Sequence, residues 1–431
     1  MTHGGHEMNS GKRMKEKQGM KAILVVLDGA ADRPVAALDG ETPLEHASLP
    51  HLDKMAFKGA CGIMDVVEPG IPGGSDTSQM TFLGNDAREY YTGRGALEAI
   101  GGGINVKDGD ICFRTNFATV SKDEAGRYIV RDRRAGRNIP RAGEIRDLIV
   151  DTFQPPFDNV EVKFIHTTQH RGALVIRGRN LTHEVNGTDP HRVDVPVESI
   201  ETDAGASEKR QRMKVIIETF QDHVFNLLDG HEINASRRDE GMPPVNMVLV
   251  RGGGILPELP QFQRKWGIKG SFICGNALIA GVCLVSGLDP ALDTKDTDYQ
   301  LKMQELERTL TTHDFVFFHV KETDNCSHDK DPEGVVQELE EIDEKVFSRL
   351  EQFDEKNTII AVTADHTTSS ETGRHRGDPV PVLFWGRGVR PDSIRTFNEA
   401  ACAEGGVNRI RGKNLMPLIL NHIDITGKFG S

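Results

Sequence analysis

The chain has 431 residues, enough for a large core and more than one undivided domain usually holds. Its hydrophobic content is 37%, aromatics are sparse (2 Trp, 4 Tyr), and the net charge of −13 argues against a general nucleic-acid binder. No apolar stretch approaches the ~20 residues that span a bilayer. The 6 cysteines are scattered, without a C-x-x-C pair, which fits a reducing cytosol.

Residues 1–20 are polar and carry Lys and Arg but no apolar core, so they read as a disordered extension, not a secretory signal. Met20 is an alternative start. The run Ala22–Leu27 reads as a buried strand and ends at Asp28-Gly29. Pro50–Lys58 has the pattern of a short amphipathic helix, and a Gly/Pro loop over 70–77 carries Ser75. From Tyr90 to about Pro260 the arginines crowd, and short strand-like pieces (Arg114–Val120, Val160–His166, Ala173–Arg177, Val245–Val250) are broken by Gly- and Asp-rich turns. Beyond it, helical patterns at Ala277–Leu288, Asp298–Leu310 and Pro332–Phe353 alternate with strands at Phe315–Val320, Ile359–Thr363 and Val380–Trp385. Such alternation predicts an α/β fold, a mostly parallel sheet flanked by helices. The expected organisation is a disordered 1–20, an α/β domain from 21–88 plus 261–431, and an inserted α+β domain over 89–260.

Three of the apolar runs end in metal-binding side chains. Ala22–Leu27 meets Asp28, Phe315–Val320 leads to Asp324 and His328, and Thr358–Thr363 ends at Asp365-His366. In open α/β sheets ligands sit beyond the carboxyl ends of the strands, so residues distant in sequence can converge there. The D-x-x-x-H spacing of Asp324 and His328 places both on one side of a helical turn, where they can hold one ion. His375 follows in a loop entering the next strand. Three carboxylates and three imidazoles exceed one tetrahedral ion and suit two. Taken singly, each has a plainer reading: Asp before Gly as a turn former, a loop His as a solvated side chain. The joint pattern carries the metal expectation.

In Pro72-Gly-Gly-Ser75 the glycines allow the serine to project from a tight turn, and a helix beginning near Ser75 would favour an approaching phosphate. An ordinary Ser N-cap is the alternative. No G-x-S-x-G elbow supports a Ser-His-Asp hydrolase, whereas a nearby metal ion can lower a serine's pKa as it does for water. Gly101–Gly103 and Gly252–Gly254 match no Walker or Rossmann spacing, so nucleotide binding is unsupported.

Leu27-Asp28-Gly29, the Ser75 turn, Asp324-x-x-x-His328, Ala364-Asp365-His366 and His375 before Pro379-Val-Pro381 stand in the order of the alkaline phosphatase superfamily. Within it, Tyr91–Ala99, Phe113–Thr119 and Asp132-Arg-Arg-Ala-Gly-Arg137 resemble the archaeal type of cofactor-independent phosphoglycerate mutase, over nearly the whole chain after Lys21. One departure is the Asp-Thr-Ser-Gln run after Ser75, where a more apolar run is the family's habit. The resemblance implies Ser75 as nucleophile and two divalent ions (Mn, Mg, Co or Zn). Asp324, His328 and His375 would hold one; Asp28, Ser75, Asp365 and His366 the other. It implies a phosphoglycerate substrate without bisphosphoglycerate, in the cytoplasm, with no nucleic acid or membrane partner. Homo-oligomerisation and the acid/base residue stay open. Guanidinium forks suit a phosphate and a carboxylate, so Arg114, Asp132, Arg133, Arg171, Arg251 and Lys269 are the expected substrate residues. The rival readings are another phosphomutase or phosphatase of the superfamily, such as a phosphopentomutase, and a non-catalytic binding protein that kept the fold.

Overall fold

Residues Ala22 to Leu27 are all at most 1% exposed, and each Leu, Ile or Val so buried contributes about 1.5–3 kcal/mol. Burial of every residue in an extended run is what a strand covered on both faces shows. The computed structural model describes residues 19–202, 207–293 and 298–426; residues 1–18 of the expected extension lie outside the described residues. In chain order the strands are β1 (Lys21–Leu27), β2 (Ala60–Asp65), β3 (Ile111–Lys122), β4 (Tyr128–Asp132) and β5 (Val160–His166). Next come β6 (Arg171–Gly178), β7 (Met247–Gly254), β8 (Gly270–Cys274), β9 (Asp289–Asp293) and β10 (Phe315–Val320). The last are β11 (Thr358–Ala364), β12 (Thr367–Ser369), β13 (Arg374–Arg376), β14 (Val380–Gly386) and β15 (Asn408–Arg411).

The chain divides into two compact units. The first runs to Tyr90 and takes up Leu259–Gly275 and everything from Ser286. Its sheet has the order β15-β2-β14-β11-β1-β10-β8-β9. β1 lies parallel to β10 and β11, β10 to β8, β8 to β9, and β2 to β15; β14 runs antiparallel to both its neighbours. The sheet is therefore mostly parallel, and the fold is mixed α/β. Helix Pro50–Lys58 starts on a proline at its first turn and buries Leu52, Met55 and Ala56.

The second unit is Tyr91–Glu258 with Asn276–Val285. In its sheet, β3 pairs antiparallel with β4, β6 and β7, and β5 with β6. One face buries Phe113, Phe117, Leu174, Val248 and Val250 against Ile145 and Ile149 of helix Ala142–Thr152 and Ile216, Phe220 and Val224 of helix Glu208–Leu228. The helix expected over Ala277–Leu288, within the 261–431 segment, spans Ala277–Val285 and belongs to this unit. Glycines explain it: a Cβ on Gly281 would lie 1.9 Å from the Leu97 carbonyl oxygen, and one on Gly101 1.7 Å from that of Ala277. The helix thus packs backbone to backbone on helix Arg94–Gly101, closer than any side chain permits.

Candidate active site

Strand register brings the chemistry together. Leu27 of β1 pairs with Val320 of β10 and Ala364 of β11, so Asp28, Lys321 and Asp365 leave the sheet at one level of its carboxyl edge. Helix Glu322–His328 follows β10 at once and carries Asp324 and His328 one turn apart. The short β12–β13 hairpin reverses the chain before β14 and places His375 opposite Thr368. Ser75 is the first residue of helix Ser75–Phe82, behind the N-cap Gly74, where free backbone N–H groups favour an anion.

Two overlapping groups result. In one, His328 Nε2 lies 3.4 Å from Asp324 Oδ2 and 3.4 Å from His375 Nε2, and His375 Nε2 lies 3.7 Å from Asp324 Oδ1. In the other, Ser75 Oγ is 3.2 Å from His366 Nε2 and 3.5 Å from Asp28 Oδ1, while His366 Nε2 is 3.3 Å from Asp28 Oδ1 and 3.5 Å from Asp365 Oδ1. The His366 and His375 rings stack at 3.7 Å, so His366 sits between the groups and also clusters with Asp324 and His375. Backbone carbonyls orient two imidazoles: His328 Nδ1 is 2.9 Å from the Gly373 oxygen and His375 Nδ1 2.9 Å from that of Gly73, leaving both Nε2 atoms to face the cluster. Asp365 accepts from Gly29 N and Gln79 Nε2, each at 2.9 Å.

Gly29 shows why Asp28 is followed by glycine. It has φ +63°, and a Cβ there would lie 2.7 Å from both Asp324 Oδ1 and Thr368 Oγ1, so any side chain would fill the cluster.

The electrostatics call for cations. Asp28, Asp324 and Asp365 are at most 1% exposed. Lys321 bridges the first two, with Nζ 2.9 Å from Asp28 Oδ2 and in contact with Asp324 Oδ2. Burial raises the Asp28 carboxyl, but the charge of Lys321 and the adjoining imidazoles outweigh it and hold it well below the usual range. Asp365 goes the other way, pushed up to about 6 by burial and by the Asp28 charge. Burial lowers His366, yet Asp365 and Asp28 lift it to about 9; burial and the His366 charge depress His375 to about 4. Lys321 and His366 together still leave three buried carboxylates one charge short, and Asp28 Oδ2, though 2.9 Å from Lys321 Nζ, makes no well-directed hydrogen bond among the described residues. Carboxylate, imidazole and hydroxyl donors at 3.2–3.7 Å from one another fit divalent ions, since two ligand atoms about 2.1 Å from one ion stand about 3.0–3.4 Å apart.

His319, Lys321, Gln79 and Thr368 went unnoticed in the sequence. His319 lies inside an apolar run and reads as core. Lys321 follows β10 directly, one residue beyond a strand end already marked by its neighbours, and that position was the available signal.

In the second unit the expected arginines do gather. Arg114 and Arg251 are direct cross-strand partners on β3 and β7, and Arg171 of β6 faces Asn116, on the same side of the sheet as Arg114. Arg114 is 6% exposed and 3.4 Å from Glu98. Burial pushes it down to about 9, aided by Arg94, Arg171 and Arg251; burial likewise takes Arg251 down to about 10. Arg133 grips the buried Asp189 with two hydrogen bonds of 2.6 and 2.7 Å, and Arg251 Nε approaches the same carboxylate at 4.0 Å. Asp189 is a residue the sequence reading missed. Five guanidiniums (Arg94, Arg114, Arg133, Arg171, Arg251) thus lie close enough to act on one another, with Glu98 and Asp189 among the acids beside them.

Two expected substrate residues, Asp132 and Lys269, are engaged with other groups in this structure. Both carboxylate oxygens of Asp132 accept backbone N–H groups, from Arg134 at 2.7 Å and Gly136 at 2.8 Å, so this side chain shapes the turn that carries Arg133. Lys269 precedes β8, whose register with β10 and β1 puts it at the amino edge of the sheet, opposite Asp28. There it is exposed and pairs with Asp289 at 3.4 Å.

A family model described as 2,3-bisphosphoglycerate-independent phosphoglycerate mutase matches residues 56–234. A protein of that name from Methanocaldococcus jannaschii is 39% identical over 419 residues, 95% of this chain and 99% of the relative. The structure of a Pyrococcus horikoshii protein superposes with a TM-score of 0.79 at 32% identity, covering 96% of this chain and 100% of that one. The cofactor-independent phosphoglycerate mutase from Thermoplasma acidophilum gives 0.64 at 32% identity over 93% and 99%. The chain belongs to the 2,3-bisphosphoglycerate-independent phosphoglycerate mutase family and is an isomerase.

Proposed function

We propose that the chain interconverts 3- and 2-phosphoglycerate through a phosphoserine on Ser75. The observation that carries the reading is Ser75 at a helix N-terminus within hydrogen-bond reach of His366 and Asp28, beside a second group of donors. Asp324, His328 and His375 would hold one divalent ion, and Asp28, Ser75, Asp365 and His366 the other. Bound there, the ions supply Lewis-acid stabilisation of charge on the attacking and leaving oxygens.

The chain's own groups account for the remaining steps. Ser75 Oγ–H donates toward Asp28 Oδ1, a carboxylate held ionised, which orients the oxygen for attack on phosphorus. A Ser75 Oγ–P bond forms as the substrate's ester O–P bond breaks, and the serine proton ends on the freed glycerate hydroxyl. The glycerate reorients, its other hydroxyl attacks the phosphoserine, and the proton returns to Ser75. The N–H groups opening helix Ser75–Phe82 stabilise the phosphoryl oxygens. Arg114, Arg171 and Arg251 supply guanidinium forks for the substrate's anionic groups, with Arg133 holding Asp189 in place.

The test is to incubate metal-supplemented protein with 3-phosphoglycerate and follow phosphorus NMR. Formation of 2-phosphoglycerate is expected. Release of inorganic phosphate alone would make the chain a phosphatase.

A further inference from the structure

We infer that His319 is a further metal ligand, acting with Asp28 and Asp365 in the group nearest Ser75. This rests on reading these groups as metal sites, and it adds an imidazole that no motif in the sequence marks.

His319 is the penultimate residue of β10 and is fully buried. Its Nε2 lies 3.1 Å from Asp28 Oδ2. That spacing suits a hydrogen bond, but the direction does not: His319 Nδ1, His319 Nε2 and Asp28 Oδ2 all lack a hydrogen-bond partner among the described residues. A buried imidazole with neither nitrogen satisfied is costly unless something else binds it. The 3.1 Å separation is what two ligands on one ion would show, about 3.0–3.4 Å. One ligand atom each from His319, Asp28 and Asp365 lies within 4.8 Å of the others, and all three residues are buried.

The surroundings hold His319 in this place. Lys302, itself fully buried, donates from Nζ to the His319 carbonyl oxygen at 3.0 Å. The Phe317 ring lies nearly parallel to the imidazole, with centroids 6.2 Å apart and planes 15° apart. A simple ion pair explains less. Lys321 Nζ stands 2.9 Å from the same Asp28 Oδ2, so an ion pair with His319 would set a second cation on one oxygen and still leave His319 Nδ1 unpartnered among the described residues.

Co²⁺ titration of the chelator-stripped full chain tests the proposal. Wild type should take up two ions. His319→Gln and His319→Ala, checked for folding by circular dichroism, should bind one ion at least about tenfold more weakly and show a changed cobalt d–d spectrum. A substitution that only loosened packing would leave that spectrum unchanged. Manganese-soaked wild-type crystals give a variant-free readout: anomalous density should lie within bonding distance of His319 Nε2. Two ions bound at wild-type affinity with an unaltered spectrum, or an ion remote from Nε2, would overturn the assignment of His319 alone. Wild type that binds no ion would overturn the metal reading itself.

Discussion

The two units each gather a cluster of like charges, built in opposite ways. In the first, Asp28, Asp324 and Asp365 leave the carboxyl edge of a parallel sheet beside the cationic groups of Lys321 and His366. In the second, Arg114, Arg171 and Arg251 stand on the face of an antiparallel sheet, with Glu98 beside Arg114 and Asp189 beside Arg251. Excess buried charge is expensive unless a ligand of opposite sign completes it. One cluster is therefore suited to cations and the other to anions, the pairing that the proposed reaction needs.

The largest effect that can break this contrast is removal of the cations. Chelation should abolish turnover, and added Mn²⁺ or Co²⁺ should restore it. Asp324→Ala and Asp365→Ala should abolish activity irreversibly while circular dichroism stays native. Full activity in protein shown to be metal-free would remove the first half of the comparison.

Next in size is Ser75. Ser75→Ala should eliminate turnover and leave metal content nearly unchanged, because the carboxylates and imidazoles remain. Wild type quenched during turnover should carry phosphate on the peptide containing Ser75 by mass spectrometry. Robust turnover by the alanine variant would mean the phosphoryl group never visits the serine.

The same contrast decides what the sequence could reveal. Carboxyl-edge residues were legible because the strand beneath each is an unbroken apolar run, so the end of the run marks the site. The α/β fold and helix Pro50–Lys58 were legible for the same kind of reason, a clean period and a proline start. His319 was hidden because it lies within such a run. The direction of β14 was hidden because it depends on the three-residue strands of the β12–β13 hairpin. The helical pattern over Pro332–Phe353 is met by an unbroken helix to Leu350, but its turns widen to a π-helix over Asp343–Phe347, which no local signal marks. There Asp343 turns to accept the N–H groups of His51 and Leu52, a tertiary contact with no local signal. Arginines on a sheet face give no such end-of-run mark. Arg114 and Arg251 were picked from a crowd, and Asp189 was not picked at all.

Arg251 sharpens the anion half. Arg251→Ala should lower kcat/KM at least tenfold with both metals retained, since losing a buried charged hydrogen bond to an anion costs about 2–5 kcal/mol. Arg133→Ala should do something different. It strips the bidentate partner from Asp189, whose side chain is 0% exposed, and should cost about 3–5 kcal/mol of stability as well as activity. A chemical melt separates the two outcomes. Unchanged efficiency in Arg251→Ala would place the substrate anion elsewhere.

The smallest expected effect belongs to Lys269, the one basic candidate outside both clusters. Its side chain is 47% exposed and its partner Asp289 is 56% exposed, so water already screens the pair. Exposed pairs of this kind are worth at most about 1 kcal/mol. Lys269 also stands before β8, at the far edge of a parallel sheet whose chemistry gathers beyond the carboxyl ends. A strand of five residues spans about 17 Å, well beyond the reach of a lysine side chain. Lys269→Ala should therefore leave kcat/KM within about twofold and shift the melt by no more than an exposed pair can. A tenfold loss of kcat/KM would mean that substrate charge is read at the amino edge too, and the division of labour between the two clusters would be wrong.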